Sequence, residues 1–360
     1  MTLELATSRH SGTDRAASKP LLRVLAGEKL DPPPAWLMRQ AGRYLPEYRE
    51  VRAEAGSFMA LCFDPEKAAE VTLQPIRRYG FEASILFADI LTIPHAMGVE
   101  VSFVAGEGPK LPPIRSAEQV DQLGPCNVRD SLAPIYETVR QVRAGLQREG
   151  FDRTTLIGFA GAPFTVACYM VEGGGSKDFA EVRRFMYQDP AAFTRLMDRI
   201  EAATLDYLSA QIEAGAEVVK LFDSHAGVLA EPMFETHVIG PAKRLVAALK
   251  QRHPDTPVIC FPRGAGGMLA RFAEQVLPSA LALDTNVPLD WADQVLPEGL
   301  PVQGNLDPMV VLAGGEALKA EVRRIRTALK SRPHIFNLGH GINKDTPPAH
   351  VEQLVEALRT

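Results

Sequence analysis

The chain has 360 residues, 46% of them hydrophobic and 23% charged, which is enough apolar sequence for a large core in one domain or two. Lys and Arg number 39 against 44 Asp and Glu, a net charge of −5, so nothing in the overall balance favours nucleic acid or an anionic membrane as a partner. Cys62, Cys126, Cys168 and Cys260 are scattered with no CxxC pair, which excludes a dense disulfide framework and fits a reducing, cytoplasmic setting.

In chain order, residues 1–20 mix Ser, Thr, Arg, Asp and Glu with no apolar stretch, so a secretory signal is not expected, and Glu4 and Asp14 argue against a transit peptide. They read as a flexible N-terminal tail ahead of a single domain, 21–360. No run approaches the roughly 20 apolar residues of a membrane helix, so a soluble protein is expected. Short runs rich in aliphatic and β-branched residues then recur at 35–38, 83–87, 154–159, 217–222, 257–261, 280–283, 301–303 and 334–338. Between them lie segments of helical period. Leu132, Ile135, Val139, Val142 and Leu146 share one face and stop at Gly150; Leu205, Leu208 and Ile212 do so before Gly215; Phe272, Val276 and Leu277 precede the sixth run. The stretch 99–115, with Gly106-Glu107-Gly108-Pro109, reads as a loop insertion or small hairpin. Eight apolar strands, each followed by a helix, describe an α/β protein with a parallel sheet, and the count favours a (β/α)8 TIM barrel over an open doubly wound sheet.

In such a barrel the chemistry sits just past the C-terminal ends of the strands. Those positions hold Arg39, Gln40 and Arg43; Asp89; Gly161, Pro163 and Phe164, with Tyr169 beyond; Asp223, Ser224 and His225; Arg263; Asp284; Asn305; and His340 between two glycines. Arg39, Arg43, Arg49 and Arg52 concentrate positive charge in an acidic protein. If the chain turns helical after Gln40, Arg39 and Arg43 share a face and can hold carboxylates in bidentate pairs; a solvated helix with an ion pair such as Glu47 to Arg43 fits the composition equally. Asp89 is flanked by Ile85-Leu86-Phe87 and Ile90-Leu91, so its carboxylate faces either N–H donors, a cation, or the following turn as a cap. The run Glu172-Gly173-Gly174-Gly175-Ser176 lacks both phosphate-loop and dinucleotide spacing and reads as a mobile lid or loop. The eight histidines form no HxxxH or HEXXH pair and none lies two residues from a cysteine, so no metal is expected.

The run Pro34-Ala35-Trp36-Leu37-Met38-Arg39-Gln40-Ala41-Gly42-Arg43-Tyr44-Leu45-Pro46-Glu47-Tyr48-Arg49 resembles the first signature of the uroporphyrinogen decarboxylase family, and 158–173 resembles the second. Phe87-Ala88-Asp89-Ile90-Leu91, Phe222-Asp223-Ser224-His225-Ala226-Gly227, Gln303-Gly304-Asn305-Leu306-Asp307-Pro308 and Asn337-Leu338-Gly339-His340-Gly341 fit in the same order. Position 88 is Ala where many members carry Ser, and 225 is His where bacterial members often carry Trp. The resemblance implies a homodimeric barrel that converts uroporphyrinogen III to coproporphyrinogen III and four CO2 with no cofactor. It also implies substrate binding by Arg39, Gln40, Ala41, Gly42, Arg43, Asp89, Tyr169, Ser224 and His340, with Asp89, Arg39 and Arg43 central to catalysis. Two other readings share features with it: a zinc-dependent methyltransferase of related fold acting on corrinoid or thiol methyl groups, which needs a thiolate and imidazole cluster, and a non-catalytic tetrapyrrole carrier.

Overall fold

The computed structural model describes residues 19–104, 108–124 and 126–360. Its strands are β1 (Ala83–Ile85), β2 (Ser102–Val104), β3 (Gly108–Lys110), β4 (Thr155–Gly161), β5 (Val218–Asp223), β6 (Val258–Pro262), β7 (Ala280–Ala282), β8 (Val302–Gln303) and β9 (His334–Ile335). Seven of them form one parallel sheet in the order β1-β4-β5-β6-β7-β8-β9. Every residue in those seven is buried except Phe222, which is half-buried, as continuous apolar runs covered on both faces should be. The insertion at 99–115 carries the antiparallel hairpin β2–β3, whose connecting residues 105–107 lie outside the described set.

The expected first strand, 35–38, is reduced to a single parallel bridge between Ala35 and Phe336. Pro33 and Pro34 have no N–H to give a ladder. Beyond Trp36 the ladder donors are diverted: Leu37 N donates to Gln40 Oε1 at 3.1 Å and Met38 N to Asn337 Oδ1 at 2.9 Å. The segment nevertheless joins both edges of the sheet. Trp36 N donates to Phe336 O at 3.3 Å, Phe336 N to Pro34 O at 2.9 Å, and Glu82 N, just ahead of β1, to Ala35 O at 3.2 Å. The sheet is therefore curled, with its two edges sharing one linking segment.

Helices follow the periodic segments. Ala133–Arg148 buries Ile135, Val139, Val142 and Leu146 on one face, and Pro190–Ala214 buries Leu208 with Leu205 partly covered. In Leu269–Val276 the expectation fails at one residue: Leu277 adopts φ +54 at the helix end and is 63% exposed, so it terminates the helix instead of sharing the face of Phe272 and Val276. Of the expected tail, residues 1–18 lie outside the described set, whereas Lys19 and Pro20 are buried, and the Lys19 ammonium donates to Glu217 at 2.7 Å and to Thr154 O at 2.8 Å. Among the described residues, no helix is long and apolar enough to cross a membrane.

The inside of the curled sheet holds one group that apolar packing does not explain. Lys220 on β5 is fully buried, and its Nζ lies 4.6, 4.9 and 5.2 Å from the ring centres of Phe222, Trp36 and Phe261. It has no hydrogen-bond acceptor among the described residues. Burial therefore drives its pKa well below the ordinary lysine value. Because the native state binds that proton more weakly than the unfolded chain does, stability rises with pH as the unfolded value of 10.5 is approached, by at most about 1.4 kcal/mol per pH unit for one proton. Lys220→Met, of similar volume and with no polar head, is expected to raise unfolding free energy at pH 7 by about 1–3 kcal/mol and to flatten that slope. Denaturant titrations at pH 7 and 9 measure both quantities; a variant that is less stable at both pH values contradicts the expectation.

Candidate active site

The arginine-bearing segment does not turn helical after Gln40. Residues 39–45 form successive turns, and the helix Pro46–Glu54 begins only at Pro46. Arg39 itself takes φ +65, a left-handed conformation unusual for a side chain of its size. That geometry lays its aliphatic stem across Gly341, where a Cβ would stand 2.4 Å from the Arg39 side chain, so only glycine permits the approach. Arg39 thus abuts the His340 turn from the far end of the sequence. Arg43 is exposed, its charge reaches the phenol of Tyr48, and its carbonyl accepts from Arg49 at 3.1 Å. Glu47 does not pair with Arg43 but with Arg78, at 2.8 Å. Both Arg39 and Arg43 remain without an ion pair among the described residues.

Gln40 departs from its expected role. Its side chain is 1% exposed, accepts from Leu37 N and donates to Ala83 O at 3.2 Å, so the amide is consumed in tying the turn to β1. What 40–43 keep is main chain: the N–H groups of Ala41, Gly42 and Arg43 donate to no other described residue. Successive free amides beside guanidinium groups form a concave donor set suited to an anion.

Of the three parts open to Asp89, the hydrogen bonds show the cap of the following turn. Its Oδ1 accepts from Leu91 N at 2.8 Å and its carbonyl accepts from the Thr92 hydroxyl at 2.8 Å, which shapes the turn after β1, while Oδ2 is left over. Burial raises its pKa to about 6, partly offset by the Leu91 amide and by the charge of Arg39. The residue keeps part of its surface open, so this is a carboxyl in a cleft wall. An aromatic chain backs it: Tyr48 and Phe58 lie 5.7 and 5.8 Å from Phe87, and Phe58 lies 4.8 Å from Phe103 of the hairpin. Tyr169 is half-buried and its phenol is pushed up by burial and by the nearby Asp89 charge.

His340 and His225 occupy the other part of the cleft. The Nδ1 of His340 accepts from Gly341 N at 2.5 Å, which places its single neutral-state proton on Nε2. Burial, reinforced by Arg263 and Arg39, lowers its pKa to about 4. His225 is likewise lowered to about 4, by burial and by Arg263. Its ring lies 5.2 Å from Tyr169 and 4.5 Å from Phe179. Ser224 is half-buried and makes no side-chain hydrogen bond with another described residue. The turn it belongs to is anchored from behind, since His225 N donates to Thr165 Oγ1 at 3.1 Å and Thr165 Oγ1 donates to the buried Asp223 at 2.5 Å.

Two further strand-end residues are tied into the framework: Asn305 donates to Asp284 O and Val287 O, each at 2.9 Å, and Asp284 accepts from Gly264 N and Asn286 N. The glycine run at 173–175 is docked at its start, with Leu111 N donating to Gly173 O at 3.0 Å and Gly174 bridging Lys110 of the hairpin. The strand ends therefore bring together Arg39, Asp89, Tyr169, His225, Arg263 and His340, with Arg43 and Ser224 at the margin. Arg263 was visible only as a strand-end position, whereas His225 also falls in the run 222–227 that carries the resemblance. Among the described residues no three of His, Cys, Asp and Glu are gathered as a metal would require. Cys62, Cys168 and Cys260 are buried, and burial pushes all three thiols up, Cys260 to about 12.

The profile described as uroporphyrinogen decarboxylase (URO-D) matches residues 16–360. A protein of Granulibacter bethesdensis named uroporphyrinogen decarboxylase is 55% identical over 343 residues, spanning 95% of this chain and 99% of its own length. One of Paracoccus denitrificans with the same name is 56% identical over 344 residues, spanning 95% and 99%. Among solved structures, a methyltransferase from Methanosarcina mazei superposes with a TM-score of 0.77 at 20% identity, over 94% of this chain and 97% of its own, which is a likeness of fold.

The raised Asp89 pKa carries a stability signature. Native Asp89 binds its proton up to about pH 6 and the unfolded residue only to about 3.8, so wild-type stability falls as pH rises through that interval. Asp89→Asn keeps an acceptor for Leu91 N and carries no charge. It is expected to be more stable than wild type at pH 7, by on the order of 1 kcal/mol once solvent access is allowed for, with the gain vanishing below about pH 4. Thermal unfolding at pH 4 and 7 reads this directly.

Proposed function

The chain belongs to the uroporphyrinogen decarboxylase family, and from that membership we propose that it removes the carboxyl groups of the four acetate arms of uroporphyrinogen III, giving coproporphyrinogen III and four CO2 in haem biosynthesis. The observation that carries the assignment to a site is the nearness of Arg39 to Asp89: a half-open carboxyl poised near 6 with a spare oxygen, within electrostatic reach of a guanidinium that has no ion pair among the described residues. A flexible macrocycle with four inward pyrrole N–H groups and eight outward carboxylates asks for that combination.

Each step has the balance R–CH2–COO− + H+ → R–CH3 + CO2. Protonation of the pyrrole α-carbon next to an acetate arm makes the ring a cation; the electrons of the breaking C–CO2 bond flow into it, and the methylene is then protonated as the α-carbon gives its proton back. The ring is its own electron sink, so the chemistry requires no organic cofactor or metal. Asp89 accepts pyrrole N–H bonds and stabilises the cation, a charge that exists only during reaction and is therefore worth most to stabilise. Arg39, Arg43 and the free amides of 41–43 hold carboxylate arms, and Tyr169, Ser224 and His340 orient them. His340, neutral with its proton on Nε2, donates a hydrogen bond without adding a charge.

This reading takes the curled sheet as a closed (β/α)8 barrel in a single domain, with 34–36 as the eighth stave. Its support is the hydrogen bonding of that segment to both Phe336 and Glu82. It takes the working form as a cytoplasmic homodimer, which sedimentation equilibrium tests.

Anaerobic incubation with uroporphyrinogen III, followed by oxidation and chromatography, should show seven-, six-, five- and four-carboxyl porphyrins in succession; unchanged eight-carboxyl material rejects the assignment. Asp89→Asn is expected to fold and to lose at least about 100-fold in kcat, the scale of removing one electrostatic stabiliser. Wild-type kcat/KM should fall tenfold per pH unit below about pH 6, as Asp89 takes up its proton in the free enzyme.

A further inference from the structure

Arg39 and Arg43 sit on one segment, and two guanidinium groups cannot hold the carboxylates of a substrate that spreads eight of them around a ring. The loops after β5 and β6 hold a third group. Arg263 N donates to Asp223 O at 3.0 Å and Arg263 O accepts from Gly227 N at 3.0 Å, so its backbone is fastened to the Ser224-His225 turn on both sides. Gly264 N donates to Asp284 Oδ2 at 2.7 Å, which fixes the next residue. The two loops touch so closely that a Cβ on Gly227 would stand 2.4 Å from Gly264 O. A residue fastened this firmly presents its side chain at little entropic cost.

That side chain is exposed and forms no ion pair or hydrogen bond with any described residue. Elsewhere in this acidic protein arginines on the outer helices take glutamates: Arg77, Arg78, Arg129, Arg244 and Arg271 each do so. Asp284, on the neighbouring strand end, has both oxygens engaged by backbone amides, one of them the Gly264 N–H. The Arg263 charge is felt by both His225 and His340, so the guanidinium lies within electrostatic reach of both imidazoles. Both imidazoles are neutral near pH 7, which leaves Arg263 as the cation of that part of the site.

On the reading that the substrate is a polycarboxylated tetrapyrrole, we propose that Arg263 is a further substrate-binding residue, which grips a carboxylate arm beside His225 and His340 while the 39–43 segment grips others. The bond is a bidentate pair of guanidinium with carboxylate, and its effect lies in holding the macrocycle, not in the bond-breaking step.

The test compares wild type, Arg263→Gln and Arg263→Lys. Arg263→Gln is expected to raise KM for uroporphyrinogen about 10- to 100-fold, the loss appearing mainly in KM, with Arg263→Lys recovering part of it as a point charge without the fork. Histidine NMR of the ligand-free proteins supplies a readout that a merely structural role does not move: the His225 and His340 imidazoles should titrate at higher pH in Arg263→Gln. Unchanged KM in Arg263→Gln overturns the proposal, and so does a collapse of kcat with KM intact. Uroporphyrin, fluorescent and carrying eight carboxylates, separates this outcome from failure of the functional reading, because its binding is measured without turnover. If wild type leaves uroporphyrinogen unreacted, the decarboxylase reading fails alone; equal uroporphyrin Kd for wild type and Arg263→Gln sinks the role of Arg263.

Discussion

The arrangement depends on the main-chain hydrogen bonds that attach 34–36 to both edges of a parallel sheet. Three of these, to Phe336 and from Glu82, decide where the start of the chain meets its end. Without them Arg39 and His340, about three hundred residues apart, have no reason to be neighbours. With them, Arg39 crosses Gly341 and comes within electrostatic reach of both Asp89 and His340. The prolines at 32–34 and the side chains of Gln40 and Asn337 then stop the strand after a single bridge, so the backbone leaves the sheet at the height where the cleft begins.

The electrostatics of the cleft follow from that geometry. Enclosure by apolar walls acts on every titratable group in the same sense, towards neutrality. Imidazoles, whose charged form is the acid, become neutral donors; Asp89, whose charged form is the base, is brought up to about 6 and stays mostly ionised at neutral pH; guanidinium groups stay charged because no accessible shift can deprotonate them. The same pressure thus yields neutral hydrogen-bond donors at His225 and His340 and one carboxyl that takes up its proton just below neutral pH, beside the exposed guanidinium groups of Arg39, Arg43 and Arg263. Lys220 shows the same pressure deeper in the sheet.

Much of this was legible before any coordinates. Helical period placed Ala133–Arg148 because Ile135, Val139, Val142 and Leu146 are spaced for one face, and the strand-end rule nominated Arg39, Asp89 and His340 from position alone. What stayed hidden is where tertiary context overrides residue preference. Arginine and leucine seldom adopt positive φ, so neither Arg39 at +65 nor Leu277 at +54 could be foreseen, and the inward turn of Gln40 goes with the first of these. The glycine run at 173 read as a mobile loop because its partner, the edge of the hairpin, is some sixty residues away. Arg263 was only one strand-end position among several for a related reason: a lone arginine after a strand is ordinary, and only the lack of an ion pair among the described residues gives it meaning.

On the proposed reading, binding a polyanion next to Asp89 raises a difficulty that the arginines would resolve. Each carboxylate arriving in the cleft disfavours a further negative charge, and a carboxyl already near 6 would be driven to take up a proton as the substrate docks. A protonated Asp89 can no longer stabilise a pyrrolic cation. The arginines that draw the arms in also neutralise them, and Arg39 does so beside Asp89, where its charge already lowers the carboxyl. Lying against Gly341 and without an ion pair among the described residues, that guanidinium has two tasks on the proposed reading: to retain an acetate or propionate, and to keep Asp89 ionised while the octa-anion is bound. On that reading binding and catalysis are not separable functions of Arg39, because the same charge serves both.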